Sequence, residues 1–141
     1  MNQPRLLGIY VFSENLEETL KFYRLLGLSV DKISDMFARA TLPGGGMIEF
    51  GTDQLTHSYD PGWQRPDGAS NNTINIELAS AQAVDATFAA AVAAGYTGHL
   101  APCDPPWQAR FAIVLDPDGN FVGLHSPREL AADQQRERAT G

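Results

Sequence analysis

Apolar and polar residues follow a fixed order of spacings along the first fifty residues. Leu16, Leu20 and Tyr23 recur at helical spacing. Asn15 precedes them, and Glu18 follows it by three residues, as in a capping box. Short apolar or β-prone runs lie on either side of this helix. The pattern predicts a βαβββ unit: a strand over 6–12, a helix from 16 that stops by Gly27, and strands over 28–33, 37–42 and 47–51.

The same order returns in the second half of the chain. Ser80 is a suitable helix cap, Val84, Phe88 and Ala91 share one helix face, and Gly95 closes the segment. Residues 116–119, Asp-Pro-Asp-Gly, form a turn signal between two β-prone runs. A second βαβββ unit is therefore predicted, with a strand over 73–78, a helix over 80–94, and strands over 96–101, 110–115 and 120–125.

Part of the chain is duplicated. Residues 37–51 align without a gap on residues 111–125. Four of the fifteen pairs are identical: Phe37 with Phe111, Ala38 with Ala112, Pro43 with Pro117, and Gly45 with Gly119. The chemically important mismatch is Glu49 against Gly123, because the second copy has no carboxylate at that position.

Two further segments lie outside the repeated units. Residues 52–71 connect them and contain Trp63, two prolines and no periodicity, so we expect a crossover, a lid or a binding loop. Residues 127–141 form a charged tail. We expect one domain over 1–141, with module 1 at about 5–51 and module 2 at about 72–126.

The tandem pattern, with Lys21-Phe22-Tyr23 and Leu26-Gly27-Leu28 around the first helix end and Leu115–Asn120 in the last hairpin, resembles the vicinal oxygen chelate superfamily. This superfamily includes glyoxalase I, bleomycin-resistance proteins, extradiol dioxygenases and fosfomycin-resistance enzymes. The chain is most similar to the metal-free bleomycin-resistance branch. The resemblance implies an α+β fold of two βαβββ modules, each a curved four-stranded mixed sheet with one helix, that enclose a cleft.

The resemblance also implies where metal ligands stand in the metal-dependent members. The first-strand positions are Gly8 in module 1 and Thr73 or Ile74 in module 2, while the last-strand positions are Glu49 and Gly123. Transition metals prefer imidazole, thiolate or carboxylate, and only Glu49 supplies one of these. We therefore predict no metal and no cofactor.

A rebuilt metal site is the alternative. Strand alternation places His125 on the same face as Gly123, about 6.6 Å further along the strand. A displaced metal would then use Glu49, Glu77 and His125. His57 and His99 lie in a predicted loop and a weak strand, and we interpret both as surface histidines.

Strand alternation predicts a cleft that is aromatic on one wall and polar on another. Ile9 alternates with the cleft-facing residues of the first strand, so it is expected to pack against a helix. Arg39 and Arg110 need carboxylate partners, for which Glu49 and Glu77 are the nearest candidates. Trp63 and Trp107 either cover the cleft or seal a sheet edge. The predicted ligand-binding residues are Tyr10, Phe12, Arg39, Met47, Glu49, Trp63, Asn75, Glu77, Trp107, Arg110, Phe121 and His125.

Composition narrows the classes of partner. Seventeen acidic and ten basic residues give a net charge of −7, which opposes nucleic-acid binding and favours neutral or cationic ligands. The single Cys103 excludes an internal disulfide. No apolar run approaches the roughly 20 residues that a membrane span needs. We expect a cytoplasmic protein that binds neither membrane nor nucleic acid.

These observations predict a metal-independent protein that binds a small organic molecule, sequestering a drug-like, aromatic or cationic ligand as in antibiotic resistance. A homodimer is implied by the resemblance alone. The alternative is an enzyme, a lyase, isomerase, epimerase or dioxygenase, with Glu49 as the catalytic base or with the rebuilt metal site. A third class is an interaction module whose cleft Trp63 or Trp107 plugs.

Overall fold

The structure, a computed structural model, describes residues 3–67, 72–106 and 109–127. The predicted roles of Trp107 and of the charged tail beyond Pro127 lie outside the described residues. Close contacts divide the chain into two units. Unit 1 comprises the residues up to Asn72 together with Leu115–Asn120, and unit 2 comprises Thr73–Val114 and the residues from Phe121 onward.

Both predicted βαβββ units are present, which confirms the α+β fold. The connection after the first unit begins with a helix that the sequence pattern did not predict. The elements are β1 (Gly8–Ser13), α1 (Leu16–Leu25), β2 (Asp31–Ser34), β3 (Phe37–Thr41), β4 (Met47–Thr52), α2 (Asp53–Tyr59), β5 (Thr73–Glu77), α3 (Ala81–Ala93), β6 (Gly98–Cys103), β7 (Phe111–Leu115) and β8 (Phe121–His125).

The start and stop of α1 follow from its end residues. The Asn15 side chain accepts a hydrogen bond from the Glu18 backbone N–H at 3.2 Å. The Glu18 carboxylate lies 3.8 Å from Lys21 Nζ. Of the two hydrogen bonds of a capping box, the described residues therefore show the one that Asn15 accepts. Gly27 takes φ +101°, the left-handed conformation that ends the helix. Ser80 caps α3 in the same way, accepting from the Ala83 N–H at 3.1 Å.

Sheet 1 has the strand order β1-β4-β3-β2, with β1 parallel to β4 and the other pairs antiparallel. Alternate residues of β3 and β4 turn to one side and are buried: Ala38, Ala40, Ile48 and Phe50. Helix α1 packs on this side with the fully buried Phe22 and Tyr23, and the Tyr23 and Phe50 rings lie 4.8 Å apart. Helix α1 therefore covers one face of sheet 1 and leaves the opposite face uncovered by this helix.

Sheet 2 repeats this topology in the order β5-β8-β7-β6, with β5 parallel to β8. Its helix α3 contributes the buried Val84 and Ala91. The buried side chains of the sheet again alternate along the two central strands: Ala112, Val114, Val122 and Leu124. Each sheet thus has one helix-covered face that forms its core.

The duplication corresponds to the two inner hairpins. Strands β3 and β4 match β7 and β8, as the alignment predicts. The aligned turn glycines, Gly45 and Gly119, have φ of +96° and +84°. Both copies have glycine at this point, because residues that carry a Cβ rarely adopt a positive φ.

Ile9 is 40% exposed, whereas Val11, two residues further along the same strand, is 6% exposed. The side of β1 that was expected to face a helix is therefore buried at Val11 but not at Ile9, near the start of this edge strand. Within the described part of the chain, no helix has the length and apolar character needed to cross a membrane.

The β7–β8 turn belongs to unit 1 and carries the buried Asp116 and the partly buried Asp118. The Tyr23 hydroxyl donates to Asp116 at 2.7 Å, and the backbone N–H groups of Asp118 and Asn120 donate to the same carboxylate at 2.9 Å each. Burial, then the charge of Asp116, raises the pKa of Tyr23 well above its usual value. Asp118 accepts from the Glu14 N–H at 2.9 Å, and its burial raises the pKa of its carboxyl group.

Candidate functional site

A polar row crosses the open face of sheet 1, opposite α1. In the strand register Tyr10 lies beside Glu49, and Glu49 lies beside Arg39. Side chains of laterally paired residues turn to the same face, so the three form one line across β1, β4 and β3. All three are partly buried. The structure therefore brings together three of the predicted ligand-binding residues.

Arg39 and Glu49 form the ion pair that the sequence predicts. Arg39 donates from Nε at 3.2 Å and from Nη2 at 3.0 Å, and both bonds go to the same Glu49 oxygen, Oε2. The guanidinium also lies 5.3 Å from the centre of the Phe37 ring. Cross-strand placement and this ring contact hold the pair in one geometry.

Helix α2 is joined to the same face by a chain of hydroxyl groups. The Tyr10 and Thr56 hydroxyl groups are 3.1 Å apart, and Thr56 Oγ1 donates to the Thr52 carbonyl at 3.1 Å. Since the Thr56 proton is used in that bond, Tyr10 is the donor to Thr56. A Cβ at Gly51 would overlap the Tyr10 hydroxyl group, so glycine lets Tyr10 lie across β4. Burial is the main reason that the pKa of Tyr10 is raised.

An aromatic cluster continues from Tyr10 on this face. We define it as Tyr10, Phe12, His57, Tyr59 and Trp63, with ring centroids 5.7 Å apart for Tyr10 and Phe12, 6.1 Å for Tyr10 and Tyr59, 4.9 Å for Phe12 and Trp63, and 5.0 Å for His57 and Trp63. His57 is exposed, as expected, and its Nε2 lies 2.8 Å from the Trp63 carbonyl oxygen. Trp63 lies against Phe12 of the edge strand β1, and its role in covering a cleft stays a prediction.

The α2 residues of this cluster were not predicted from the sequence. His57 and Tyr59 lie on α2, and Tyr59 is 61% exposed. The available signal was Thr52 followed by Asp53, a cap residue and an acid in the first turn. Thr52 Oγ1 does accept from the Leu55 N–H at 3.2 Å.

Arg65 contacts Trp63, the last residue of the aromatic cluster along the chain. Its guanidinium lies 5.8 Å from the centre of the Trp63 ring. It pairs with Asp53 at the start of α2 and, at 3.2 Å, with the nearly buried Asp118. Burial is the largest single effect on the pKa of Arg65 and lowers it, but the hydrogen bond to Asp53 and the charges of Asp53 and Asp118 together outweigh it, so the pKa is raised. Trp63 is thus held from both sides by residues of unit 1.

In unit 2, the equivalent place to Glu49 is occupied differently. Gly123 lies beside Asn75 in the register, and His125 Nε2 lies 2.8 Å from Asn75 Oδ1. A Cβ at Gly123 would overlap both Asn75 Oδ1 and His125 Nε2. The His125 ring stacks on Phe111 with centroids 5.4 Å apart, and His125 is 9% exposed. The hydrogen-bonded pair therefore fills the space above the glycine.

The other predicted residues of unit 2 have their own neighbours. Phe121 stacks on His99 with centroids 4.8 Å apart, and Glu77 lies beside His125 in the register. The expected Arg110–Glu77 pair was wrong. Arg110 instead donates to Asp85 and Asp104, at 2.7 Å each, because strand alternation directs it to the α3 side together with Ala112.

The residues at the positions that the resemblance assigns to metal ligands do not suit a metal ion. Gly8 has no side chain, and a Cβ there would overlap the Met47 carbonyl oxygen. Thr73 and Gly123 offer no imidazole or carboxylate, and Glu49 is bonded to Arg39. Residues 3–67, 72–106 and 109–127 contain no group of three His, Cys, Asp or Glu side chains placed to hold a metal.

The rebuilt metal site draws on both units. Glu49 belongs to unit 1, whereas Glu77 and His125 belong to unit 2. This site, like the full set of predicted ligand-binding residues, stays a prediction.

The family is shown by comparison with known proteins. Residues 5–124 match the model of the Glyoxalase/Bleomycin resistance protein/Dioxygenase superfamily. The chain belongs to this superfamily. A search of curated proteins found no match to the chain. Membership of the superfamily agrees with the resemblance and with the two βαβββ units described above.

Solved structures from the superfamily share the fold. A glyoxalase-related enzyme from Fulvimarina pelagi has a TM-score of 0.76 at 17% identity, covering 89% of each chain. A superfamily enzyme from Burkholderia phytofirmans PsJN has a TM-score of 0.75 at 21% identity, covering 87% of this chain and 98% of its own. Lactoylglutathione lyase from Agrobacterium tumefaciens has a TM-score of 0.64 at 15% identity, covering 89% and 96%. At these identities the similarity concerns the fold alone.

Proposed function

We propose that this superfamily member binds a small, flat organic molecule without a metal ion. The observation that carries the proposal is the Asn75–His125 hydrogen bond in the space above Gly123. It occupies the place of a second carboxylate. The first carboxylate, Glu49, is bonded to Arg39 at 3.0 Å. In the described part of each half, the donor set that the resemblance assigns to metal-dependent members is incomplete.

The open face of sheet 1 supports the class of ligand. Aromatic side chains offer flat apolar surface at low conformational cost, and a few polar groups orient what stacks on them. Tyr59 of the aromatic cluster is 61% exposed, and the Arg39–Glu49 pair lies next to Tyr10 in the strand register. The net charge of −7 adds a preference for neutral or cationic molecules.

Sequestration of a drug-like compound, a homodimeric state and a cytoplasmic location belong to this proposal. They extend the resemblance to bleomycin-resistance proteins. Under this proposal the protein lowers the free concentration of its ligand and leaves its covalent bonds intact.

The test combines metal analysis with ligand titration. The protein is incubated with Zn²⁺, Ni²⁺ or Mn²⁺, desalted and analysed by mass spectrometry for metal. A Trp107→Phe variant then leaves Trp63 as the single tryptophan reporter, and planar aromatic compounds are titrated with and without EDTA. We expect far less than one metal ion per chain and a change of Trp63 fluorescence that EDTA does not alter.

Stoichiometric metal retention, with ligand binding lost in EDTA, would contradict the proposal. A protein that shows no fluorescence change with any compound favours the third class, the plugged interaction module.

An enzyme with Glu49 as base is the second candidate. The observation in its favour is Glu49 Oε1, which has no hydrogen-bond partner among the described residues. Against it, both hydrogen bonds from Arg39 go to the Glu49 carboxylate, so this side chain is already engaged in an ion pair. A Glu49→Gln variant separates the two functions, because base-driven turnover would vanish while stacking on the aromatic cluster would persist.

A further inference from the structure

We propose that the Arg39–Glu49 pair recognises an amide-like edge, in which a ring carbonyl oxygen and an N–H group occupy neighbouring atoms of the ligand. This inference rests on the proposed function and names its class of ligand: a neutral, flat lactam or other ring amide.

The geometry of the ion pair is the first step. Both Arg39 donors, Nε and Nη2, go to the single oxygen Oε2. This side-on arrangement uses one edge of the guanidinium and leaves Nη1 and the second Nη2 hydrogen for another acceptor. Glu49 Oε1 likewise has no hydrogen-bond partner among the described residues. The pair thus keeps donors and an acceptor on adjacent groups.

Accessibility is the second step. The Arg39 side chain is 41% exposed and the Glu49 side chain 23% exposed. The unused atoms belong to a pair that solvent and ligands can reach, although the pair is held in place by the strand register and by Phe37. A polar site that is fixed before binding loses little entropy when a ligand arrives.

Charge is the third step, and it selects among ligand classes. The pair is neutral as a whole, so an anionic group drawn to Arg39 is repelled by Glu49, and a cationic group is repelled by Arg39. A neutral ligand that carries both an acceptor and a donor satisfies both partners at once. Adjacent carbonyl and N–H groups are the edge of an amide.

The surroundings favour a ring over an open chain. Phe37 lies under the guanidinium, and Tyr10 pairs with Glu49 in the register. Tyr59 stands edge-on to Tyr10, at an interplanar angle of 88°, and is largely exposed. A flat ring placed against these side chains gains stacking contact, while its edge meets the ion pair.

The experiment compares 2-quinolone, which has the ring amide edge, with 1-methyl-2-quinolone, which lacks the N–H, and with quinoline, which lacks both groups. Dissociation constants are measured by calorimetry on the full chain. We expect 2-quinolone to bind at least tenfold more tightly than the other two. In Glu49→Gln the side-chain amide presents a donor to the ligand N–H, and this preference should disappear.

The matched control is Glu17→Gln, which removes a carboxylate from the exposed Lys32 ion pair of the same unit, at 2.6 Å, and should leave all three constants unchanged. Arg39→Met is the second test variant, and its loss of preference should match that of Glu49→Gln. Urea unfolding of each variant establishes that it is folded.

Equal binding of 2-quinolone and 1-methyl-2-quinolone would overturn this inference and leave the proposed function standing. A preference that survives in Glu49→Gln would overturn it as well. Failure of all three compounds to bind would overturn the inference and the proposed class of ligand together.

Discussion

The Tyr23 hydroxyl group donates a hydrogen bond of 2.7 Å to Asp116, and both residues are buried. One lies in α1 and the other in the β7–β8 turn, 93 residues apart in sequence. The bond gives a buried carboxylate a strong donor and gives a fully buried phenol its acceptor.

Removing this hydroxyl should destabilise the fold. For Tyr23→Phe we expect a loss of about 1–3 kcal/mol in the free energy of unfolding, because a hydrogen bond to a charged group is lost. The loss should stop there, since Asp116 keeps its bonds from Asp118 and Asn120. Urea unfolding measures it, with Tyr59→Phe at an exposed ring as the control. Equal stability of the two variants would contradict this interpretation.

Burial of Tyr23 next to the charge of Asp116 predicts how stability changes with alkaline pH. Folding raises the pKa of Tyr23, so the folded chain keeps a proton that the unfolded chain releases above about pH 10. Since the folded state then binds more protons, the free energy of unfolding falls as pH rises through this range, by at most about 1.4 kcal/mol per pH unit for one group.

Tyr23→Phe should make this alkaline decline shallower without abolishing it, because the pKa of Tyr10 is also raised. Urea titrations of wild type and variant between pH 8 and 11 provide the measurement. Parallel curves would show that Tyr23 ionises as readily in the folded chain as in the unfolded chain.

Gly123→Ala should be costly. The added Cβ overlaps Asn75 Oδ1 and His125 Nε2, and overpacking of this kind costs about 1–3 kcal/mol. The control is Gly62→Ala, where the nearest atom to the new Cβ is 3.9 Å away, and a change near zero is expected. Thermal and urea unfolding both report the difference.

The cause of that cost can be isolated with a double variant. Asn75→Ala removes the closest obstacle, so Asn75→Ala/Gly123→Ala should lose less stability than the two single losses added together. Simple additivity would mean that the Asn75–His125 pair does not occupy the space above Gly123.

Thr52→Ala should destabilise α2 and the packing of Trp63 on it. The Thr52 side chain caps this short helix, and loss of such a cap costs about 1 kcal/mol. Because Trp63 packs on residues of α2, its fluorescence in a Trp107→Phe background should shift towards that of a solvated indole. Thr52→Ser keeps the capping oxygen and should restore both properties. A Thr52→Ser variant as unstable as Thr52→Ala would refute the capping role.

Much of the scaffold was predictable because its signals are local. Asn15 and Ser80 cap the long helices, and Gly45 and Gly119 lie in the hairpin turns. The ends of these elements are therefore marked by residue types that favour caps and turns. Helix α2 was missed because seven residues without an apolar face carry too little periodicity to separate a helix from a loop.

The candidate site was predictable only where strand alternation reaches. It placed Glu49 beside Arg39, because the two lie on adjacent strands of one hairpin. It failed for Arg110, whose partner Asp85 sits on a helix at a distance along the chain that no periodicity specifies. The missing carboxylate at Gly123 was visible in the sequence, whereas the side chains that fill its place required coordinates.

The filled space above Gly123 also bears on how this protein can evolve. A single change to glutamate at 123 would restore symmetry between the repeats, yet it would collide with Asn75 and His125 before gaining any new partner. A carboxylate at this position therefore requires replacements at Asn75 and His125 as well. A single substitution at 123 therefore does not give the second repeat the same side-chain arrangement as the first.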